Sequence, residues 1–323
     1  MDKLSGVFLD AGSLDKNDLD FSELRDCFCE FEALEFTQAD KVVTTANHAE
    51  VIVCNKTCLT QEILEQLPRL RLICVCATGT NNIDLGAADF RNVLVCNVTH
   101  YATASVVQHA FLLMLNLSTH FLQYHQLVKQ GKWQQSRQFC LLDFQINELA
   151  GKTLGIIGYG DLGKGMAKMG EAFGMRVLIA EHRGAQNLRP GRTSFDALIK
   201  DSDFITLHCP LTPETQHLIG PEQLAAMKQS AIVLNVARGG IVDENALLSA
   251  LQNGLIAGAG VDVLNTEPPV DGNPLLAADL PNLIVTPHIA WATKSARIRL
   301  MKVVVENIKA FLNNKPQNVV NPG

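Results

Sequence analysis

Short apolar runs alternate with stretches of helical spacing along most of this 323-residue chain. The runs GVFLD, EVIVC, RLICVCA and VLVCNV come first, followed by TLGIIG, RVLIAE, DFITLHC, AIVLNVA, IAGAGVDV and LIVTPH. They are short, apolar nearly throughout and bounded by turn residues, the pattern of buried strands. Segments such as PEQLAAMK and ENALLSALQNG lie between them with amphipathic helical spacing. Strand–helix alternation of this kind predicts an α/β fold with parallel sheets covered by helices on both faces. The pattern shows no short-period repeat and no low-complexity tract.

The first strand series closes near residues 98–103, where a long helical stretch, TASVVQHAFLLMLNL, begins. A second βα series starts at Gly151-Lys152. The last helical stretch, SARIRLMKVVVENIKAFLNN, has no strand after it, so it either caps the second series or returns to the first. A return defines two Rossmann-like or flavodoxin-like domains, 1–99 plus 292–323 and 100–291, with a cleft between them. Inter-domain clefts are favoured ligand sites.

Composition narrows the function classes. Hydrophobic residues make up 47% and charged residues 19%, with a net charge of −6. Nucleic acid or an anionic membrane surface would call for a basic face instead. The longest apolar stretch, FLLMLNL, is far shorter than the ~20 residues a membrane span needs. MDKLSGVFLD lacks the apolar core of a signal peptide. Nine cysteines occur without metal-site or disulfide spacing. The expectation is a soluble cytoplasmic protein with reduced thiols, no metal, and a small-molecule substrate.

The first chemical signal is Gly158-Tyr159-Gly160-Asp161-Leu162-Gly163. It follows the strand TLGIIG and opens a helix, which is the context a dinucleotide-binding loop requires. Gly158 permits the tight turn, Gly160 lets backbone approach a pyrophosphate, and Gly163 lets helix and strand pack closely. The next strand ends in Glu181, placed to accept hydrogen bonds from ribose hydroxyls. A carboxylate there repels a 2′-phosphate, so NAD is favoured, while His182 and Arg183 beside it leave NADP open.

The second signal lies on three later strand ends. Arg238 follows AIVLNVA, Glu267 follows AGAGVDVLN, and His288 follows LIVTP. Strand C-termini line the ligand crevice of an open α/β sheet. A guanidinium there can grip a carboxylate in bidentate fashion, and a histidine beside a carboxylate is a candidate acid/base.

With these residues in this order, the chain resembles the D-isomer-specific 2-hydroxyacid dehydrogenases over nearly its whole length. The resemblance rests on GIIGYGDLGKGMA, HCPLTPETQHLI, LNVARGGIVDENAL, AGVDVLNTEPP and NLIVTPHIAWAT. ICVCATGTNNIDLGAA, IAEHRGA and PPVDGNPLLAADLPNLIVTPHIAWAT bring it nearest to the bacterial glycerate dehydrogenase, or hydroxypyruvate reductase, branch. That resemblance implies NADH-dependent reduction of hydroxypyruvate to D-glycerate and its reverse, with glyoxylate as a second substrate. It implies that Arg238 binds the substrate carboxylate and polarises the keto oxygen, that His288 donates the proton, and that Glu267 orients His288. It further implies that backbone N–H groups of Thr78 and Gly79 face the substrate and that Trp291 walls the pocket. Val106 would border the nicotinamide and Asp262 would bind its carboxamide, and Val236 and Ala237 would also contact the cofactor. Cys209, Pro210 and Thr215 would pass under the adenine and ribose. His109 and His208 are expected to be structural. The family is usually dimeric, so a homodimer is expected, with the long helix after residue 102 as interface and Trp133 near the partner subunit. Two alternatives stay open: another small 2-keto acid as substrate, such as the D-lactate couple or a phosphorylated acid, and an NAD-sensing corepressor-like binding protein.

Overall fold

In the computed structural model, which describes residues 3–321, the chain divides into two compact units. One combines the segment ending at Ala102 with the segment beginning at Ala292, and the other is Thr103–Trp291.

The first unit carries strands β1 (Leu4–Phe8), β2 (Phe28–Ala33), β3 (Val51–Cys54), β4 (Leu72–Val75) and β5 (Leu94–Cys96). They form one parallel sheet in the order β2-β1-β3-β4-β5. β3 and β4 are buried at every position, as continuous apolar runs between two helical layers must be. β2 was missing from the expected strands. It reads FCEFEA, lies at the sheet edge and exposes Glu30 and Glu32, so no apolar run marks it. Charged side chains on an edge strand discourage pairing with another chain.

The helix Lys294–Leu312 belongs to this unit, as does the tail behind it. Arg297 grips both oxygens of Asp18 at 2.7 Å and donates to Leu14 O at 2.8 Å. Asn321 accepts from Val95 N and donates to Val93 O, so the tail runs beside β5. A strand order of this type places its switch point between β1 and β3, where such sheets hold anionic ligands. Here the protein supplies its own anion. The buried carboxylate of Asp10 accepts from Asn55 N at 2.8 Å, Lys56 N at 2.6 Å and Thr57 N at 2.8 Å.

The second unit carries β6 (Thr153–Ile157), β7 (Arg176–Ile179), β8 (Phe204–Leu207), β9 (Ile232–Asn235), β10 (Gly258–Val261) and β11 (Leu283–Val285). All six were expected from the apolar runs, and they pair in parallel in the order β11-β10-β9-β8-β6-β7. The switch point falls between β6 and β8. The helix Thr103–Thr119 packs across β9, β10 and β11 and buries Val106, Phe111, Leu113 and Met114, which leaves little of its apolar face exposed. No helix among the described residues is long and apolar enough to cross a membrane.

Asp10→Ala leaves three backbone donors without their charged acceptor in a buried site, which costs about 3 kcal/mol. Urea unfolding should show that loss; a change below about 0.5 kcal/mol, the size of an ordinary surface substitution, would contradict it.

Candidate active site

The crevice at the β6–β8 switch point is built from backbone. Gly158 ends β6 with φ +93°, and a Cβ there would lie 2.5 Å from His208 C and Cys209 N. Only glycine fits that conformation and that contact. At Gly163 a Cβ would strike the Gly158 carbonyl oxygen, so the helix Asp161–Ala172 can approach β6 only without one. Gly160 is the helix N-cap, makes no side-chain cap bond, and has nothing within 4 Å of its Cβ position. Its open side lets an anion reach the helix N-terminus, where donors and dipole favour negative charge. These features fit the diphosphate of a dinucleotide.

A cavity of about 510 Å³ adjoins this loop, with Tyr159, Glu181, Arg183, Arg189, Arg192 and Thr215 in its lining. His182, Cys209 and Gly158 also line it, so these positions named from the sequence meet in one place. Thr215 Oγ1 donates to Pro210 O at 2.7 Å, which fixes the loop containing both. Glu181 differs from the expectation of a free ribose acceptor. It is 4% exposed, and its carboxylate is clasped by Arg189 through Nε at 2.7 Å and Nη2 at 2.5 Å. The Arg189 guanidinium, helped by His182 N–H, holds this carboxyl well below the usual carboxylate range.

At the far strands, Arg238 follows β9 beyond the buried Val236 and Ala237. Asn235 braces that loop, donating through Nδ2 to Arg238 O at 2.9 Å and accepting from Ala237 N. His288 follows β11 with φ +54°. Its Nδ1 lies 2.6 Å from Glu267 Oε2, and Glu267 Oε1 accepts from Leu264 N at 2.9 Å. Both side chains keep solvent access, 27% for His288 and 33% for Glu267. Nδ1 being taken, Nε2 is the ring nitrogen left for chemistry. Trp291 turns back, donating from Nε1 to His288 O.

Asp262 sits beneath this turn rather than in an open pocket. Its side chain is fully buried and accepts from Thr286 Oγ1 at 2.5 Å, Ile289 N at 2.9 Å and Ala290 N at 2.8 Å. His109 Nε2 closes the network on Thr286 Oγ1 at 2.9 Å. His109 had been expected to be structural, and its contacts show what it supports: the turn that presents His288. Val106 is buried one helical turn ahead of it. In the first unit, Thr78 and Gly79 lie on the loop after β4, and Thr78 Oγ1 donates to Val98 O. Among the described residues their backbone N–H groups have no hydrogen-bond acceptor. No group of histidine, cysteine and carboxylate side chains among the described residues is arranged to hold a metal.

A family pattern described as "D-isomer specific 2-hydroxyacid dehydrogenase, NAD binding domain" matches residues 111–290. The chain belongs to the D-isomer-specific 2-hydroxyacid dehydrogenases. A glycerate dehydrogenase of Methylorubrum extorquens is 47% identical over 97% of this chain and 98% of its own. A hydroxypyruvate reductase of Blautia hydrogenotrophica is 39% identical over 98% of this chain and 99% of its own. A solved D-lactate dehydrogenase of Aquifex aeolicus, complexed with NAD and lactic acid, superposes with a TM-score of 0.83. It is 30% identical and covers 99% of this chain and 100% of its own. The dehydrogenase fold and the NAD-binding unit are therefore those of the family.

Two residues of this dehydrogenase's cofactor unit carried no sequence signal. Arg189 and Arg192 sit in an irregular loop after β7, and only the fold brings them to Glu181 and Tyr159. A further buried group shapes the cradle's stability. The His208 ring is buried, with Nε2 2.9 Å from Thr206 Oγ1 and Nδ1 without a partner among the described residues. Burial pulls its pKa from 6.5 to about 3, so the folded ring stays neutral and cannot serve as the proton donor.

The unfolded chain binds a proton at His208 below pH ~6.5 while the folded chain does not, so stability falls as pH drops. The slope from this ring is about 1.4 kcal/mol per pH unit below that value. Unfolding of wild type and His208→Gln at pH 7.5, 6.5 and 5.5 measures it. The variant should lose stability less steeply, and identical slopes would contradict the assignment.

Proposed function

We propose that this dehydrogenase reduces hydroxypyruvate to D-glycerate with NADH, and runs the reverse reaction, with glyoxylate as a second substrate. The 2.6 Å contact between His288 and Glu267 at the end of β11 carries the reading. It makes a proton donor whose tautomer is held and whose charged form has a partner. The names of the two relatives above, glycerate dehydrogenase and hydroxypyruvate reductase, support the substrate.

Arg238 binds the substrate carboxylate through paired N–H donors and polarises the 2-keto oxygen. The Thr78 and Gly79 N–H groups are further donors to an anion. The reduced nicotinamide, when bound, supplies the hydride to the keto carbon. His288 Nε2 gives its proton to the keto oxygen, leaving a neutral imidazole whose Nδ1–H stays on Glu267. Asp262 and His109 hold the turn, so the ring meets the oxygen without reorganising. Trp291 bounds the pocket on the side of His288. The corepressor-like alternative predicts cofactor binding without turnover.

The chain works as a homodimer in the cytoplasm. The helix Phe121–Lys129 buries none of its residues. The stretch after it exposes Phe139 at 89% and Leu142 at 80%, with Trp133 also exposed. This surface, rather than the buried face of the preceding helix, offers the interface. The cysteines form no disulfide, which suits a reducing compartment.

Loss of NADH absorbance with hydroxypyruvate, glyoxylate, pyruvate and 2-ketobutyrate tests the substrate; hydroxypyruvate should be fastest, and preference for pyruvate would overturn it. His288→Ala should lower turnover by about 10³-fold, as expected for loss of a general acid, with NADH affinity nearly unchanged. Light scattering after size exclusion should give twice the chain mass, and Leu142→Glu with Phe139→Glu should give one; a monomeric wild type would remove the dimer.

A further inference from the structure

Thr78 is exposed and Gly79 half-buried on the loop after β4, and among the described residues neither backbone N–H has an acceptor. Each N–H belongs to a planar trans peptide unit whose carbonyl points the opposite way. Whatever holds the carbonyl therefore sets the direction of the donor. The Ala77 carbonyl, which shares a unit with Thr78 N, accepts from Val98 N at 3.0 Å. The Thr78 carbonyl, which shares a unit with Gly79 N, accepts from Asn97 Nδ2 at 2.8 Å. Both braces come from the chain just past β5, one from backbone and one from a side chain.

Asn97 is in turn held by the end of the chain. Its carbonyl accepts from Asn307 Nδ2 at 3.0 Å, and its N–H donates to Asn318 O at 3.1 Å. Asn318 Nδ2 donates to Asn307 Oδ1 at 2.7 Å, so the three asparagines close a ring. Asn307 is fully buried on a helix face otherwise built from Leu300, Met301, Val304 and Ile308. A buried amide on such a face needs hydrogen-bond partners. Asn307 finds them in Asn97 and Asn318, and through Asn97 it reaches the loop. The far end of the loop is fixed apart from this ring. There Asn82 Nδ2 donates to Thr57 O at 2.9 Å and Asn82 O accepts from Leu59 N at 2.8 Å. The loop is thus anchored on both sides of Gly79.

We propose that Asn97 is a positioning residue for the substrate carboxylate: its amide orients the Thr78–Gly79 peptide so that the Gly79 N–H meets that anion, while Asn307 and Asn318 hold Asn97 in place. Donation to the Thr78 carbonyl also polarises the peptide and strengthens its N–H as a donor. The brace lies on the carbonyl side of the peptide, so Asn97 acts through the loop and touches no substrate. The inference rests on the reading above in which Thr78 and Gly79 donate to the substrate. It holds for any 2-keto acid, because all of them share the carboxylate.

Calorimetric titration of the NADH complex with oxamate, a carboxylate beside a carbonyl that takes no hydride, reads the site without turnover. Asn97→Ala removes the brace and leaves the backbone bonds to Asn307 and Asn318. It should weaken oxamate by about tenfold or more, the size of a weakened hydrogen bond to a charged group, with NADH affinity unchanged. KM for hydroxypyruvate and for glyoxylate should rise by the same factor with kcat less affected, the signature of lost binding common to ground and transition states. Asn307→Leu leaves the Asn97 carbonyl without its amide donor. It should act in the same direction, and gives a reading if the first variant fails to fold. A structural role alone would lower the melting temperature and leave oxamate affinity and both KM values as in wild type; that result in either variant overturns the proposal. Weakened oxamate binding without hydroxypyruvate turnover by wild type would sustain it while sinking the substrate assignment; hydroxypyruvate turnover with unchanged oxamate affinity in the variants would do the reverse.

Discussion

A carboxylate with no access to water must be answered by donors from the protein, because an uncompensated buried charge costs several kcal/mol. Asp262 imposes this requirement on the loop after β11. Thr286, Ile289 and Ala290 answer it, and in doing so they wrap the chain tightly enough that His288 adopts a left-handed backbone conformation and faces outward. His288 N also donates to Asp262 O at 2.8 Å. The ring meets Glu267 through Nδ1 at 2.6 Å. The site's rigid part is therefore buried and polar, while its reactive part stays accessible to a substrate.

The two units use the same strand order for different ends. In both, the strand order reverses between the strands that come first and third along the chain and lie side by side in the sheet, leaving a crevice that attracts anions. In the first unit Asp10 occupies that place and closes it. In the second, Gly158 and Gly160 keep it open. The difference comes down to side-chain identity at the strand end: a carboxylate that reaches three backbone N–H groups, against glycines that reach nothing.

Much of this was legible in the sequence because burial and apolarity coincide for parallel strands. All six strands of the second sheet are apolar runs, and the glycine spacing named the crevice before the fold was known. β2 was not legible, since an edge strand needs only one covered face and FCEFEA spends its other positions on charge. The sites at Arg238, Glu267 and His288 were named from strand ends, yet their support was not. Asp262 was expected in contact with a ligand, while the fold turns it inward. The masking of Glu181 was likewise invisible, because Arg189 lies eight positions further along an irregular loop and no periodicity governs such a loop. Local pattern reports which side chains are buried; it says little about which charged groups a loop will bring together.

The return of the helix Lys294–Leu312 to the first unit has a consequence for how the chain becomes native. Domains tend to fold as they leave the ribosome, in the order of synthesis. Here Thr103–Trp291 is contiguous and holds all of its own sheet, whereas the sheet begun by β1 lacks its covering helix and the Asn321 clasp on β5 until the last residues emerge. The middle of this polypeptide can reach its final packing while its beginning waits, with the apolar face of β4 uncovered, for its end.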